Sequence, residues 1–137
     1  MTENRMREYL ERHFYNSKMI IALEAERTQL RLNAQGGAIN YEGNYTTSNE
    51  NATERNLMSL ADDEKEIDKE ISEIKTEQRE IRQLIYSLHD RDLESVLIYR
   101  YIAHHTEEET AEGLNYALRT VQEKIKKAIK KLCAKMC

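Results

Sequence analysis

The stretch from Thr106 to Leu132 constrains the fold most, because it contains two short helical patterns separated by a tight break. Thr106 followed by Glu109 is a capping-box pattern, in which a hydroxyl and a carboxylate each satisfy a free backbone N–H and so begin a helix. Asn115 stands at the break, and asparagine adopts a positive φ at lower cost than most residues. A second helix is predicted to begin near Leu118. Together these features predict a helix-turn-helix.

The second of these helices has one apolar face and one basic face. Apolar or small residues recur at spacings of three and four, which places them on the side toward the preceding helix. On the second helix they are Val121, Ile125, Ala128, Ile129 and Leu132, and Ala111 and Leu114 of the first helix face them at the crossing. Between residues 115 and 137 seven basic residues stand against one acid, Glu123, although the whole chain has a formal net charge of −4. Positive charge concentrated on a helix-turn-helix is typical of DNA binding.

A longer pattern runs through the last third of the chain. Its members are Leu84, Leu88, Leu93, Val96, Leu97, Arg100, Tyr101, Glu108, Ala111, Leu114, Thr120, Val121, Ala128 and Leu132. In this order they resemble region 4 of bacterial sigma-70 factors, the part that binds the upstream promoter element. Asn115, Tyr116 and the segment 119–132 are more specifically similar to phage proteins of the ArpU/RinA type, which are implicated in switching on late genes. The resemblance implies a sigma-region-4-like helix-turn-helix and a role in transcription.

Two long helices are predicted upstream of this region. Residues 1–33 contain no Gly or Pro and form an amphipathic pattern with Met6, Leu10, Phe14, Ile20, Ile21, Leu23, Leu30 and Leu32. Residues 54–89 carry a heptad pattern of Leu57, Leu60, Glu64, Ile67, Ile71, Ile74, Gln78, Ile81, Ile85 and Leu88. Polar residues at the seam positions 64 and 78 are expected to fix the register. Part of this seam is also suited to pairing with a second copy of the chain, as a homodimer.

Residues 34–53 are rich in Gly, Asn, Ser and Thr and predict a polar, flexible loop. Ile39, Tyr41 and Tyr45 leave open a small hairpin as an ordered alternative. The predicted fold is therefore all-α. It consists of a long antiparallel helical hairpin, or coiled-coil-like arm, followed by a sigma-region-4-like helix-turn-helix domain over residues 90–137.

Four polar side chains before and within the first short helix invite comparison with a metal site. His104, His105, Glu108 and Glu109 include pairs at a spacing of four, which share a helix face. Two adjacent histidines point in different directions, however, and Thr106 between them and the glutamates is already explained as a helix cap. We expect a loop and a cap here, with no metal and no cofactor.

The chain also lacks the patterns of several other protein classes. No apolar run approaches the roughly 20 residues that span a bilayer, so we expect a cytoplasmic protein of a bacterial host, without membrane contact. Cys133 and Cys137 lie without two further ligands at suitable spacing and are expected to be reduced thiols. No nucleophile, base or phosphate-binding glycine loop has positional support, so no enzyme is expected.

The predicted DNA-contacting residues fall into two sets. The base-reading set is Leu118, Arg119, Gln122, Glu123 and Lys126, near the start of the recognition helix 118–132. Within this set arginine suits guanine, glutamine adenine, glutamate cytosine and leucine a thymine methyl group. The backbone-contacting set is Tyr116, Thr120, Lys124, Lys127, Lys130 and Lys131.

The sequence thus favours a sequence-specific DNA-binding regulator of phage or prophage late genes that binds double-stranded DNA. Contact between the acidic face of residues 54–89 and host RNA polymerase is a further hypothesis. One alternative is a DNA-packaging component similar to a small terminase subunit, which would assemble into large rings. Another is a coiled-coil scaffold with a basic tail, in which no base is read.

Overall fold

The computed structural model describes residues 1–36 and 50–136, and within these ranges every regular element is a helix. The predicted all-α class is confirmed. The elements are α1 (Glu3–Gly36), α2 (Glu50–Tyr86), α3 (Arg91–Leu97), a π-helical segment (Ile98–Ile102), α4 (Glu107–Leu114) and α5 (Leu118–Met136). Most of the predicted loop 34–53, including the alternative hairpin around Tyr41, lies outside the described residues.

The chain divides into two compact units. One unit combines Met1–Ser17 with Lys75–Cys137 and contains the helix-turn-helix, so it is called the HTH unit below. The other unit, Lys18–Ile74, is called the arm unit. Each unit has its own apolar cluster.

The arm unit is held by a narrow apolar seam between α1 and α2. Leu23, Ile67 and Ile71 are buried, and Ile20, Leu30 and Ile74 pack around them half-buried. The Arg27 guanidinium pairs with Asp68, and that of Arg31 pairs with Glu64. Because the numbers rise on one helix and fall on the other, the two segments run antiparallel. The predicted polar seam position 64 therefore has an ionic partner across the seam.

Three apolar residues that were predicted to lie in the helix seams are exposed instead. The side chains of Ile21, Leu32 and Leu57 are 67%, 54% and 55% exposed. Ile21 precedes the buried Leu23 by two residues, and two residues correspond to about 200° around an α-helix. The two side chains therefore cannot both face α2. Leu32 likewise follows the half-buried Leu30 by two residues, so these two side chains cannot both face α2 either.

The HTH unit has the larger core. Its buried members are Met6, Leu10, Ile81, Ile85, Leu88, Leu93, Val96, Leu97, Tyr101, Ala111, Val121, Ile125, Ala128, Ile129 and Leu132. Met6 and Leu10 are fully buried, so the start of α1 is an integral part of this unit. The Gln78 side-chain amide donates to the backbone oxygen of His13 at 3.2 Å and to Ser17 Oγ at 2.9 Å. Phe14, which the α1 pattern placed with the apolar residues, is 37% exposed.

Helix α3 begins at a well-formed cap and then widens. The Asp90 carboxylate accepts hydrogen bonds from the backbone N–H groups of Asp92 and Leu93, while Glu94 Oε2 accepts from Asp90 N–H at 2.8 Å. The helix continues into the π-helical segment, where Ala103 N–H donates to Ile98 O at 2.8 Å. Widened turns of this kind are rare and occur mostly as single turns within α-helices. Across the described ranges, no helix combines the length and apolar character needed to cross a membrane.

Candidate nucleic-acid interface

The turn between α4 and α5 has the local geometry that the sequence predicts. Thr106 and Glu109 form a complete capping box at the start of α4. Asn115 has φ 61° and ψ 44°, the left-handed conformation, and its N–H donates to the carbonyl groups of Ala111 and Glu112. Helix α5 begins at Leu118. These local features give the two helices a defined crossing.

The inward face of α5 anchors the helix in the core. Val121, Ala128, Ile129 and Leu132 have no exposed surface, and Ile125 is 2% exposed. Five buried positions over three turns leave the helix little freedom to rotate about its axis. The orientation of its outward face is therefore determined by packing.

All five residues of the predicted base-reading set are exposed. They are Leu118, Arg119, Gln122, Glu123 and Lys126. Positions 119, 122, 123 and 126 share one side of an α-helix because they are separated by three, four and seven residues. Arg119 Nε lies 3.3 Å from Glu123 Oε1, so two members of the set contact each other.

The predicted backbone-contacting set divides into two groups. Lys127, Lys130 and Lys131 are exposed, whereas Tyr116, Thr120 and Lys124 are partly buried. Lys124 Nζ lies 4.0 Å from Asp92 Oδ2 and 5.1 Å from the centre of the Tyr116 ring. Lys131 Nζ lies 3.7 Å from Asp90 Oδ2. Tyr116 and Lys124 therefore pack against each other, and the carboxylates of the α3 cap neutralise part of the charge of α5.

The sequence did not identify two features of this region. The first is the pairing of the α5 lysines Lys131 and Lys124 with Asp90 and Asp92. The second is the close approach of Tyr99 to Gly113, where an added Cβ would overlap the tyrosine ring. A glycine inside a short helix is the available signal for such an approach, because glycine there is otherwise unfavourable.

A second group of titratable side chains lies elsewhere in the HTH unit. His13 Nδ1 and His104 Nε2 are 2.8 Å apart, and His104 has a positive φ of 61°. Burial lowers the pKa of both imidazoles, and the facing His104 ring lowers the pKa of His13 further. A neighbouring groove of about 270 Å³ is lined by Glu11, Phe14, Tyr15, Arg100, Tyr101, His104, His105 and Thr106.

The histidines and glutamates considered as metal ligands do not converge on one point, although His105 and Glu109 contact each other. His105 Nδ1 lies 3.5 Å from Glu109 Oε2, and the His105 ring stacks on Tyr99 with centroids 4.4 Å apart. His104 turns toward α1 instead. Within the described part of the chain, no three potential ligands come together in a cluster. Cys133 is a half-buried free thiol, and Cys137 lies outside the described residues.

Comparison with known proteins places the chain in a family without an assigned function. No curated protein and no solved structure matches it. A protein family matches residues 49–133, from just before α2 to near the end of α5. Because this match covers more than half of the sequence, the chain belongs to the family described as "Protein of unknown function (DUF1492)".

Proposed function

We propose that the chain is a sequence-specific DNA-binding regulator of transcription that inserts α5 into the major groove of double-stranded DNA. The observation that carries the proposal is the exposed side of α5 that presents Arg119, Gln122 and Lys126. The buried face of the same helix, with Val121 and Ile125, anchors it in the core. A helix held rigidly by its core, with amide and guanidinium donors facing outward, suits the hydrogen-bond acceptors of base edges.

The charge of α5 supports the same proposal. The helix carries seven basic residues and one acid in a chain with a formal net charge of −4. Lys127 and Lys130 are exposed and suit contacts with the phosphate backbone. Lys124 and Lys131 have carboxylate neighbours within the chain. We expect these two lysines to contribute less to phosphate binding.

The narrower assignment, to phage or prophage late genes, is supported by the resemblance of residues 84–132 to sigma region 4 and to ArpU/RinA-type proteins. In this proposal the exposed acidic residues of α2 are the surface available to host RNA polymerase. A homodimer through α2 would have to use surfaces other than the seam residues Ile67, Ile71, Ile81 and Ile85, which are already covered within one chain.

Selection of bound sequences from a randomised duplex library tests the proposal directly. The wild-type protein is expected to enrich one defined motif at physiological salt. Replacing Arg119 by Ala should relax the preference at one base at a cost of ~1–3 kcal/mol, since a bidentate contact is lost. Lys127→Ala is the matched control, because it should weaken binding to all sequences and flatten the salt slope by about one.

Two results would contradict the proposal. Equal losses on specific and random DNA for Arg119→Ala would remove the base-reading role of this residue. Salt-sensitive binding without any motif would favour a packaging component or a scaffold. Mass measurement in solution then separates these two, because a packaging subunit forms large rings.

A further inference from the structure

Helix α5 contains one arginine and one acid, and the two side chains meet. The sequence from Leu118 to Met136 has Arg119 as its only guanidinium and Glu123 as its only carboxylate. Arg119 Nε donates to Glu123 Oε1 at 3.3 Å, with side chains 87% and 68% exposed. An exposed pair of this kind adds little to stability. Its stabilising effect is therefore a weak explanation for a carboxylate on this face.

The position of Glu123 is unfavourable for simple attraction to DNA. A carboxylate on the face that approaches the duplex is repelled by phosphates and offsets one of the seven basic residues of α5. A neighbouring guanidinium removes most of this repulsion. The repulsion is thus smallest while Glu123 stays paired with Arg119.

The hydrogen-bond geometry of the pair leaves the useful part of Arg119 available. A guanidinium has five N–H donors, and the bond to Glu123 uses the one on Nε. The two Nη groups remain free of this bond and match the O6 and N7 acceptors of guanine, the commonest specific arginine contact. The carboxylate also restricts the arginine side chain, which otherwise loses rotamer entropy when it is ordered on a base.

We propose that Glu123 is a positioning residue, which holds Arg119 for a guanine in the target, and that it contacts no base itself. This inference rests on the proposed function, because it concerns the same DNA-binding face. It replaces the cytosine contact that the residue type alone suggested for Glu123. The target motif should then contain a guanine whose selection depends on both residues.

The test compares base preferences of the full-length wild type with those of Glu123→Ala, Glu123→Gln, Arg119→Ala and the Arg119→Ala/Glu123→Ala double variant. Glu123→Ala should reduce the guanine preference at one position by roughly threefold to tenfold, toward the level of Arg119→Ala. Glu123→Gln keeps an acceptor oxygen and should restore part of the preference. In the Arg119→Ala background, Glu123→Ala should not change the base preference at that position any further. Binding to random DNA should stay equal or become tighter, since a negative charge is lost.

Glu70→Ala removes an equal charge from an exposed position of α2 and serves as the control. Circular dichroism confirms that each variant keeps its helical content. An unchanged guanine preference in Glu123→Ala would overturn the inference. So would loss of a cytosine position that is independent of Arg119, because Glu123 would then read a base. Absence of any motif in the wild type would refute the proposed function instead, so the two failures are distinguishable.

Discussion

At the scale of single residues, Gly113 has the clearest physical requirement. It lies in the last turn of α4, where an added Cβ would overlap the Tyr99 ring. Tyr99 is itself held by stacking on His105. We expect Gly113→Ala to destabilise the HTH unit by about 1–3 kcal/mol through overpacking, partly offset by the ~1 kcal/mol that alanine gains in a helix. Urea unfolding followed by circular dichroism measures the change.

The matched control for Gly113 removes its neighbour. In a Tyr99→Leu background the ring is absent, and Gly113→Ala should then be neutral or stabilising, because only its helix propensity remains. A double-mutant cycle gives the coupling between the two positions. Equal effects of Gly113→Ala in both backgrounds would show that the Tyr99 ring is not the reason for a glycine at position 113.

At the scale of elements, the capping box starts α4 and so sets where the helix-turn-helix begins. Glu109 N–H donates to Thr106 Oγ1 at 3.1 Å, and Thr106 N–H donates to Glu109 Oε1 at 3.0 Å. Thr106→Ala is expected to cost about 0.5–2 kcal/mol in unfolding free energy, because one N–H loses its acceptor. Urea titration at neutral pH checks this value. Glu108→Ala changes a neighbouring exposed acid outside the box and should cost less.

The same box predicts a dependence on acidity. Hydrogen bonding from the Thr106 backbone and side chain lowers the pKa of Glu109 below its ordinary value of 4.5. A carboxyl group whose pKa is lower in the folded state stabilises that state above the unfolded value, and its contribution is lost as pH falls through the folded value. The stability difference between wild type and Glu109→Ala should therefore shrink in strong acid. A difference that stays constant down to about pH 2 would contradict the assignment.

Which elements the sequence could predict follows from the distance between interacting residues. The capping box, the left-handed Asn115 and the apolar stripe of α5 each depend on residues within a few positions, so the local pattern specifies them. The carboxylate neighbours of Lys124 and Lys131 lie more than thirty residues away, and only packing brings them together. In α1 the apolar residues are too densely spaced to define one face, so Ile21 was placed in the seam wrongly.

The candidate site was predictable to a similar extent. Exposure of the base-reading set follows from helical periodicity, because Arg119 and Gln122 lie outside the apolar stripe that contains Val121 and Ile125. Contact between Arg119 and Glu123 follows from a spacing of four, but its consequence for Glu123 required the side-chain geometry. The partly buried position of Lys124 could not be predicted, because it depends on the Tyr116 ring and on the cap of α3.

At the scale of the whole molecule, the start of the chain belongs structurally to the HTH unit. Met6 and Leu10 complete its core, and His13 contacts His104 in the loop that follows the π-helical segment. Residues nearly the whole length of the chain apart therefore share one packed unit. Protonation of the two imidazoles is therefore expected to lower the free energy of unfolding of that unit.

Acidification protonates imidazoles, and the direction of the pKa shifts determines whether stability then rises or falls. Burial lowers the pKa of His13 and His104 below the ordinary value of 6.5. The unfolded chain therefore binds protons at a higher pH than the folded chain, and stability should fall as pH decreases from about 6.5 toward the lowered folded values. Two facing imidazoles 2.8 Å apart also cannot both accept a proton without repulsion.

Unfolding free energies from urea titrations between about pH 8 and about pH 5 should decline more steeply for the wild type than for His13→Gln/His104→Gln. His89→Gln, at an exposed turn after α2, is the control for the chemical change from histidine to glutamine. Parallel slopes for the wild type and the double variant would exclude the His13 and His104 pair as the cause.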